Sequence, residues 1–421
     1  MLKKLLLIFI FILLTLPLLQ YTFSLIEEPP LNGSYKLKDK PSKHRMLKKL
    51  LSGDYQKDYE LYLNDHFGFR NFFVKVFNQT QYNFFNKTSA KDVEIGKDGY
   101  LYEGGYIRDY LGINYVGEFQ IKNTLNKIKR IQNELQEKNI DLILVFAPGK
   151  ASFFPEYIPE KYDKIKKSIS NYDVFTQKAK ELNISHIDFN KGFLDLKTTY
   201  KDEIFSKAGI HWGEFAVSLA IDSLVNYIEQ KRNIDMPDYK VKKSYKEAIF
   251  FKDKDISDAM NLLFEYPSYS LPYVEYSIIE SKKQTVRPKL LIVGDSYASR
   301  IQESPLINLI FSKVELWYYN RGIVPPRKEH NSVNQLRVQD EIDKFDIIIL
   351  LSTETNLHKF DFGFSDSYFI NNIKNYNYYF KRISEDEKWM KVIEKEAKQL
   401  NITIDSNLRR NAIVWAKKNS H

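Results

Sequence analysis

Cysteine is absent from all 421 positions, which excludes disulfides, a lipid-modified cysteine anchor and any thiolate-held metal. A chain this long, 43% hydrophobic, buries a full core without cross-links. Histidine is scarce, with seven in the chain, so few places can carry imidazole chemistry. There is no phosphate-cradling glycine loop, no nicotinamide fingerprint and no metal-ligand spacing, so neither cofactor nor metal is expected. Internal repeats and low-complexity tracts are also missing, and no nucleic-acid-binding module is visible. The formal charge of +9 comes from lysines scattered among acids, which reads plainly as a solvated surface; the functional alternative is attraction to anionic glycans or phospholipid headgroups.

What is present begins at the N-terminus. Lys3 and Lys4 precede LLLIFIFILLTLPLLQYTFSLI, an apolar run of bilayer-spanning length that ends in the polar EEPPLNG. No small-x-small cleavage site follows it, so an uncleaved anchor over 1-26 is expected, with the two lysines held on the cytoplasmic side and the remainder exported. Residues 27-90 read as a lysine-rich juxtamembrane spacer running into an aromatic, helically spaced stretch that packs on the main domain.

From 91 to 385, helix and strand patterns alternate, which predicts one α/β domain with a mainly parallel central sheet. Asp98-Gly99 between two short apolar pieces signals a hairpin at its start. Strands are expected at 141–147, 184–189, 289–293, 313–318 and 346–351. The polar, aromatic segment 232-285 interrupts this alternation and reads as an insertion, a lid or substrate wall; 386-421 is a lysine-rich helical end.

Two motifs carry chemistry. Leu291-Ile-Val-Gly294-Asp295-Ser296-Tyr297 is a buried strand that breaks at glycine and presents a serine as the next helix begins. A hydroxyl there faces the crevice at the strand's C-terminal edge, and the backbone N–H groups of the helix start can hold an oxyanion. Asp-Ser is equally an ordinary helix N-cap. The second motif is Ala208-Gly209-Ile210-His211-Trp212-Gly213 ahead of an apolar helix, where His211 is either a general base or a packed core residue.

Together with EIGKDGYLY at 94–102 and Val145-Phe-Ala-Pro148-Gly149-Lys150 followed by FFPEYIP, these blocks stand in one order. In that order the chain resembles the SGNH-like domain of the periplasmic alginate and cell-surface polysaccharide O-acetyltransferases, the DHHW family, over roughly residues 55 to 420. The His block lies upstream of the Ser block, as in that acetyltransferase branch. The resemblance implies an SGNH-hydrolase-like three-layer α/β domain behind a membrane anchor helix. It also implies an enzyme, a serine-dependent O-acyltransferase, with Ser296 as acyl-accepting nucleophile and His211 as base, needing no cofactor. Its substrate would be an exported polysaccharide, and its partner a polytopic membrane acyltransferase that supplies acetyl groups. The setting implied is the bacterial inner membrane, spanned once, with the main domain on the periplasmic side. A carbohydrate acetylesterase of the same fold and a non-catalytic polysaccharide-binding or assembly subunit are the alternatives.

One position departs from the family's Asp-x-His-Trp block: Gly209 stands where the carboxylate that orients the histidine is expected. Another acid (Asp202, Glu203 or Glu214 near in sequence, or Asp295 beside the nucleophile), a backbone carbonyl, or a weak site are the open outcomes, and Asp295 completes the expected catalytic set. Oxyanion candidates are Gly294, Asn356 and Asn320, placed at the ends of strands. Substrate-binding candidates are Lys150, after a strand, and the aromatic Trp212 and Tyr297.

Overall fold

A computed structural model describes residues 2–33, 37–42, 46–245, 253–279, 284–327, 331–370, 376–400 and 402–418. The N-terminal helices are α1 (Leu2–Phe23), α2 (Met46–Ser52), α3 (Asp54–His66) and α4 (Arg70–Phe85). At 1.5 Å per residue α1 is about 33 Å long, the thickness of a bilayer's hydrocarbon core. It is the one helix among the described residues long and apolar enough to cross a membrane.

The domain opens with the antiparallel pair β1 (Val93–Ile95) and β2 (Leu101–Glu103). The turn between them needs left-handed backbone, which Asp98 (φ 53°) and Gly99 (φ 72°) supply. Then come α5 (Gly104–Tyr110), α6 (Glu118–Gln136), β3 (Asp141–Ala147), α7 (Lys150–Phe153), α8 (Asn171–Glu181), β4 (His186–Asp188), α9 (Phe189–Ile204) and α10 (Glu214–Arg232). The insertion forms an antiparallel ribbon of β5 (Tyr239–Tyr245) and β6 (Pro272–Ile278), which brackets the short helix α11 (Asp255–Ala259). The chain returns through β7 (Lys289–Gly294), α12 (Ser296–Glu303), β8 (Lys313–Tyr318), β9 (Gly322–Val324) and β10 (Ile347–Thr353).

The central sheet runs β4-β3-β10-β7-β8-β9, parallel throughout except for the edge pair β8 and β9. β10 is buried at every position and β7 at all but its first, as befits strands covered on both faces. β4 is shorter than the expected 184–189: the Ile184 N–H closes the end of α8 on the Ala179 carbonyl, leaving three residues to pair with β3.

On one face α9, α10 and α12 cover the sheet with Phe193, Ile221, Leu224 and Ile301. On the other lie α6 and α8, where α6 buries Ile121, Leu125, Ile128, Ile131 and Leu135 at helical spacing, each contributing about 1.5–3 kcal/mol. Three layers result. Strand order reverses around β10, so the C-terminal ends of β3, β10 and β7 open a crevice between them. Helices Tyr376–Ser384, Glu387–Gln399 and Ile404–Lys418 share a small core of their own around Ile383, Ile393, Leu408 and Ala412.

Candidate active site

Ser296 is the first residue of α12 and is half-buried at the crevice. The close seating of that helix on the sheet requires glycine at 294, where a Cβ would lie 2.7 Å from the Ala298 Cβ and 2.9 Å from the Leu351 carbonyl oxygen. Gly294 is thus a spacing residue, and its carbonyl accepts from the Tyr319 N–H at 2.8 Å. The N–H groups of the first turn of α12 have no intrahelical acceptor, so the one at Ser296 suits an oxyanion.

Asp295 does not orient the histidine. It is fully buried and accepts four hydrogen bonds, from Tyr297 N (3.1 Å), Thr353 N (2.9 Å), Thr353 Oγ1 (2.8 Å) and Asn356 Nδ2 (2.8 Å). Its carboxylate caps α12 and stitches β7 to β10. Asn356 lies at the expected sheet edge, but its amide nitrogen serves Asp295 and Thr353. Asn320 turns away from the crevice: its amide reaches Ser367 Oγ at 3.3 Å and the Phe362 carbonyl at 3.4 Å, beyond β8.

His211 sits in the loop between α9 and α10, clamped from several sides. Lys150 is wholly buried, and its ammonium donates to the carbonyls of Lys207 (3.0 Å) and Gly209 (2.7 Å), so it holds this loop and does not meet substrate. Burial lowers its pKa to about 7. The Tyr297 hydroxyl, also buried, donates to the Ile210 carbonyl at 2.5 Å, and its ring centroid lies 5.2 Å from that of His211. Trp212 is enclosed by Phe189, Phe193 and Tyr297. Both aromatics, expected at the substrate, are core residues that fix the imidazole from behind.

The orienting acid comes from the insertion. Asp255, first residue of α11, places Oδ2 2.5 Å from His211 Nδ1, while its Oδ1 accepts from the N–H groups of Ile210 and Ile256, each at 2.9 Å. A carboxylate can only accept, so Nδ1 carries the proton and Nε2 presents its lone pair. Nε2 is buried and, among the described residues, bonded to no protein group.

Gly209 is what lets Asp255 in. A Cβ at 209 would lie 2.7 Å from the Asp253 carbonyl oxygen and 3.1 Å from Asp255 Oδ1, so any side chain there would compete for this space. Ser206 secures the approach, its hydroxyl donating to the Asp253 carbonyl and accepting from the Gly209 N–H at 2.8 Å. Neither Asp202, Glu203 nor Glu214 is the partner: Glu203, for one, pairs with Lys243 at 2.8 Å. Glu103, ending β2, faces the same pair; desolvation, then the Asp255 carboxylate, raises its pKa.

Buried strands ending at a crevice, a serine at a helix start and a histidine held by an acid define an SGNH-like α/β domain with a mixed, mostly parallel sheet. Residues 93–271 match the family model described as "SGNH hydrolase-like domain, acetyltransferase AlgX", a segment that contains His211 and Asp255 and stops before Ser296. The matched segment is less than half of the chain's length. It is 22% identical over 188 residues to the probable alginate O-acetylase AlgJ of Pseudomonas aeruginosa, 45% of this chain and 46% of that protein, so it spans about half the length of this relative. The solved O-acetyltransferase domain of Pseudomonas putida AlgJ superposes with a TM-score of 0.45 at 16% identity, covering 65% of this chain and 99% of that one. For Pseudomonas aeruginosa AlgX the values are 0.43 and 13%, with 69% and 70% covered.

Proposed function

We propose that the protein is an O-acetyltransferase acting on an exported or cell-surface polysaccharide through an acetyl-serine on Ser296. The observation that carries this reading is the Asp255–His211 pair, which leaves the Nε2 lone pair free beside the residue that follows Ser296. In this mechanism Ser296 Oγ attacks the acetyl carbonyl as Nε2 takes its proton, and the Ser296 N–H meets the oxyanion. The imidazolium, balanced by Asp255, returns the proton to the departing oxygen. A sugar hydroxyl then enters, gives its proton to Nε2 and attacks the acetyl-serine, which restores the enzyme.

Residues 1–26 serve as a single-pass anchor, 27–90 as the spacer, and the domain works on the periplasmic side beside a polytopic membrane acyltransferase that delivers acetyl groups. The names of the relatives, an alginate O-acetylase and an acetyltransferase, support the substrate class. Hydrolysis by the same residues is the second reading, because only the second acceptor differs. Asp255 supports either over a purely binding role, since it fills the place that Gly209 leaves empty.

The test is full-length protein with a chromogenic acetyl ester, beside Ser296→Ala and His211→Ala. Wild type should release acetate and yield an acetylated Ser296 peptide on brief quenching, and neither variant should. Oligosaccharide acceptors that divert acetate into sugar ester establish transfer. Silence from all three proteins, with oligosaccharide binding intact, would sink the enzyme reading.

A further inference from the structure

The aromatic stretch ahead of the domain packs on it by one face only. From α4, Asn78 donates to the Met260 carbonyl at 2.9 Å, Gln79 accepts from the Phe264 N–H at 3.1 Å, and Tyr82 meets Tyr266 with ring centroids 5.5 Å apart. Among the described residues nothing covers the opposite face. Phe73, Phe77 and Phe84 recur four and seven residues apart, on one stripe of the helix, and are 46%, 56% and 78% exposed; Phe67 and Phe72 beside the α3–α4 turn are 52% and 48% exposed. Phe67, Phe73, Phe77 and Arg70 line an open groove of about 630 Å³.

What covers this face follows from where α1 touches it. The α3–α4 turn rests against α1 at Gly68, where a Cβ would lie 2.1 Å from the Pro17 carbonyl oxygen and 2.9 Å from the Tyr21 nitrogen. The Tyr21 and Tyr62 hydroxyls are 3.3 Å apart, and Glu28 accepts from the Phe72 N–H at 3.0 Å, so the contact is continuous along the exit of α1. Pro17 and Tyr21 precede the end of α1 at Phe23 by six and two residues, about 9 and 3 Å along the axis. If α1 crosses the bilayer, the turn lies at the depth where interfacial aromatic rings and amphipathic helices settle, about 5–10 Å into the headgroup and acyl boundary.

We propose that the α3–α4 turn with Phe67, together with Phe72, Phe73 and Phe77 of α4, forms a wedge immersed in the outer leaflet of the phospholipid bilayer. The wedge, with α1, gives the chain two membrane attachments, so the domain cannot swing freely about a single tether. Because α4 packs on the residues that follow α11, the same contact fixes the height of Asp255 and His211 over the membrane. The proposal rests on α1 crossing the bilayer and is independent of the reaction.

The absence of cysteine makes the test direct. Full-length Phe73→Cys, Phe77→Cys, Ile10→Cys and Phe119→Cys are spin-labelled singly and reconstituted in phosphatidylcholine–phosphatidylglycerol vesicles, and collision rates with oxygen and with a water-soluble nickel chelate are compared. Ile10 lies within α1, and Phe119 is 82% exposed on α6. The wedge predicts labels at 73 and 77 rich in oxygen and several-fold poorer in nickel than 119, yet shallower than 10. Nickel access at 73 and 77 equal to that at 119, with 10 still deep, overturns the wedge and leaves the anchor. A nickel-accessible label at 10 removes the anchor and the wedge together. Labels at 73 and 77 shielded from both reagents mean that protein covers the face, and they refute the lipid assignment.

Discussion

Asp255→Asn separates the orienting charge from the fold that delivers it. The asparagine carbonyl can keep both backbone bonds, to Ile210 and Ile256 at 2.9 Å, so α11 and the His211 loop stay in place. Its amide group then donates toward Nδ1, where the aspartate accepted at 2.5 Å. The imidazole proton is driven to Nε2, and the lone pair that should take the Ser296 proton disappears. Loss of the orienting carboxylate costs about four orders of magnitude in a serine triad, close to 5.5 kcal/mol in the barrier. Acetyl-ester turnover should fall by about 10³–10⁴, while the melting temperature moves by only a few degrees, since about 1 kcal/mol is at stake in the fold. Gly209→Asp combined with Asp255→Ala should not recover the activity, because the Asp253 backbone still crowds any Cβ at 209 once the Asp255 carboxylate is gone. Gly209→Asp alone should destabilise, its Cβ falling 2.7 Å from the Asp253 carbonyl oxygen. Turnover by Asp255→Asn within tenfold of wild type, with His211→Ala inactive, would refute the assignment.

Other outcomes can be measured with the same material. Tyr297→Phe leaves the buried Ile210 carbonyl without its donor, which should cost about 1–3 kcal/mol in denaturant unfolding and lower turnover by misplacing His211; unchanged values on both counts would contradict its role as a strut. Lys150→Met strips two carbonyls of their partner and should destabilise by about 2–5 kcal/mol, with stability of the wild type rising as pH climbs from about 7 toward 10.5, where the unfolded chain holds a proton that the folded lysine does not. A melting temperature for Lys150→Met within a degree of wild type would refute that. Glu354 is buried against Ser152 and Asn190, and desolvation raises its pKa from 4.5 to about 7. The folded state therefore keeps a proton that the unfolded chain releases, and this contribution, about 3 kcal/mol, is present below pH 4.5 and lost as pH rises toward 7. Glu354→Gln should gain on wild type across that window, which thermal melts at a series of pH values would reveal; parallel curves would exclude it.

Local pattern determined much of this protein. Runs of Leu, Ile and Val bounded by charged helices specify β3, β7 and β10, because a strand buried on both faces admits little else. Asp98-Gly99 sets the hairpin through the backbone conformations those two residues tolerate, and Ser296 and His211 stand out because each follows its own local signal. What the side chains after those signals face was not written locally. Lys150, Trp212 and Tyr297 look like crevice residues in sequence, yet the packing of the 205–213 loop against β2, α12 and the insertion turns all three inward. Asp255 lies 44 residues beyond His211 in a stretch without periodicity, and Gly209 marked only a missing carboxylate. Which acid fills that gap depends on a through-space contact, Asp255 Oδ2 to His211 Nδ1 at 2.5 Å, a distance set by the whole domain and by no segment of it.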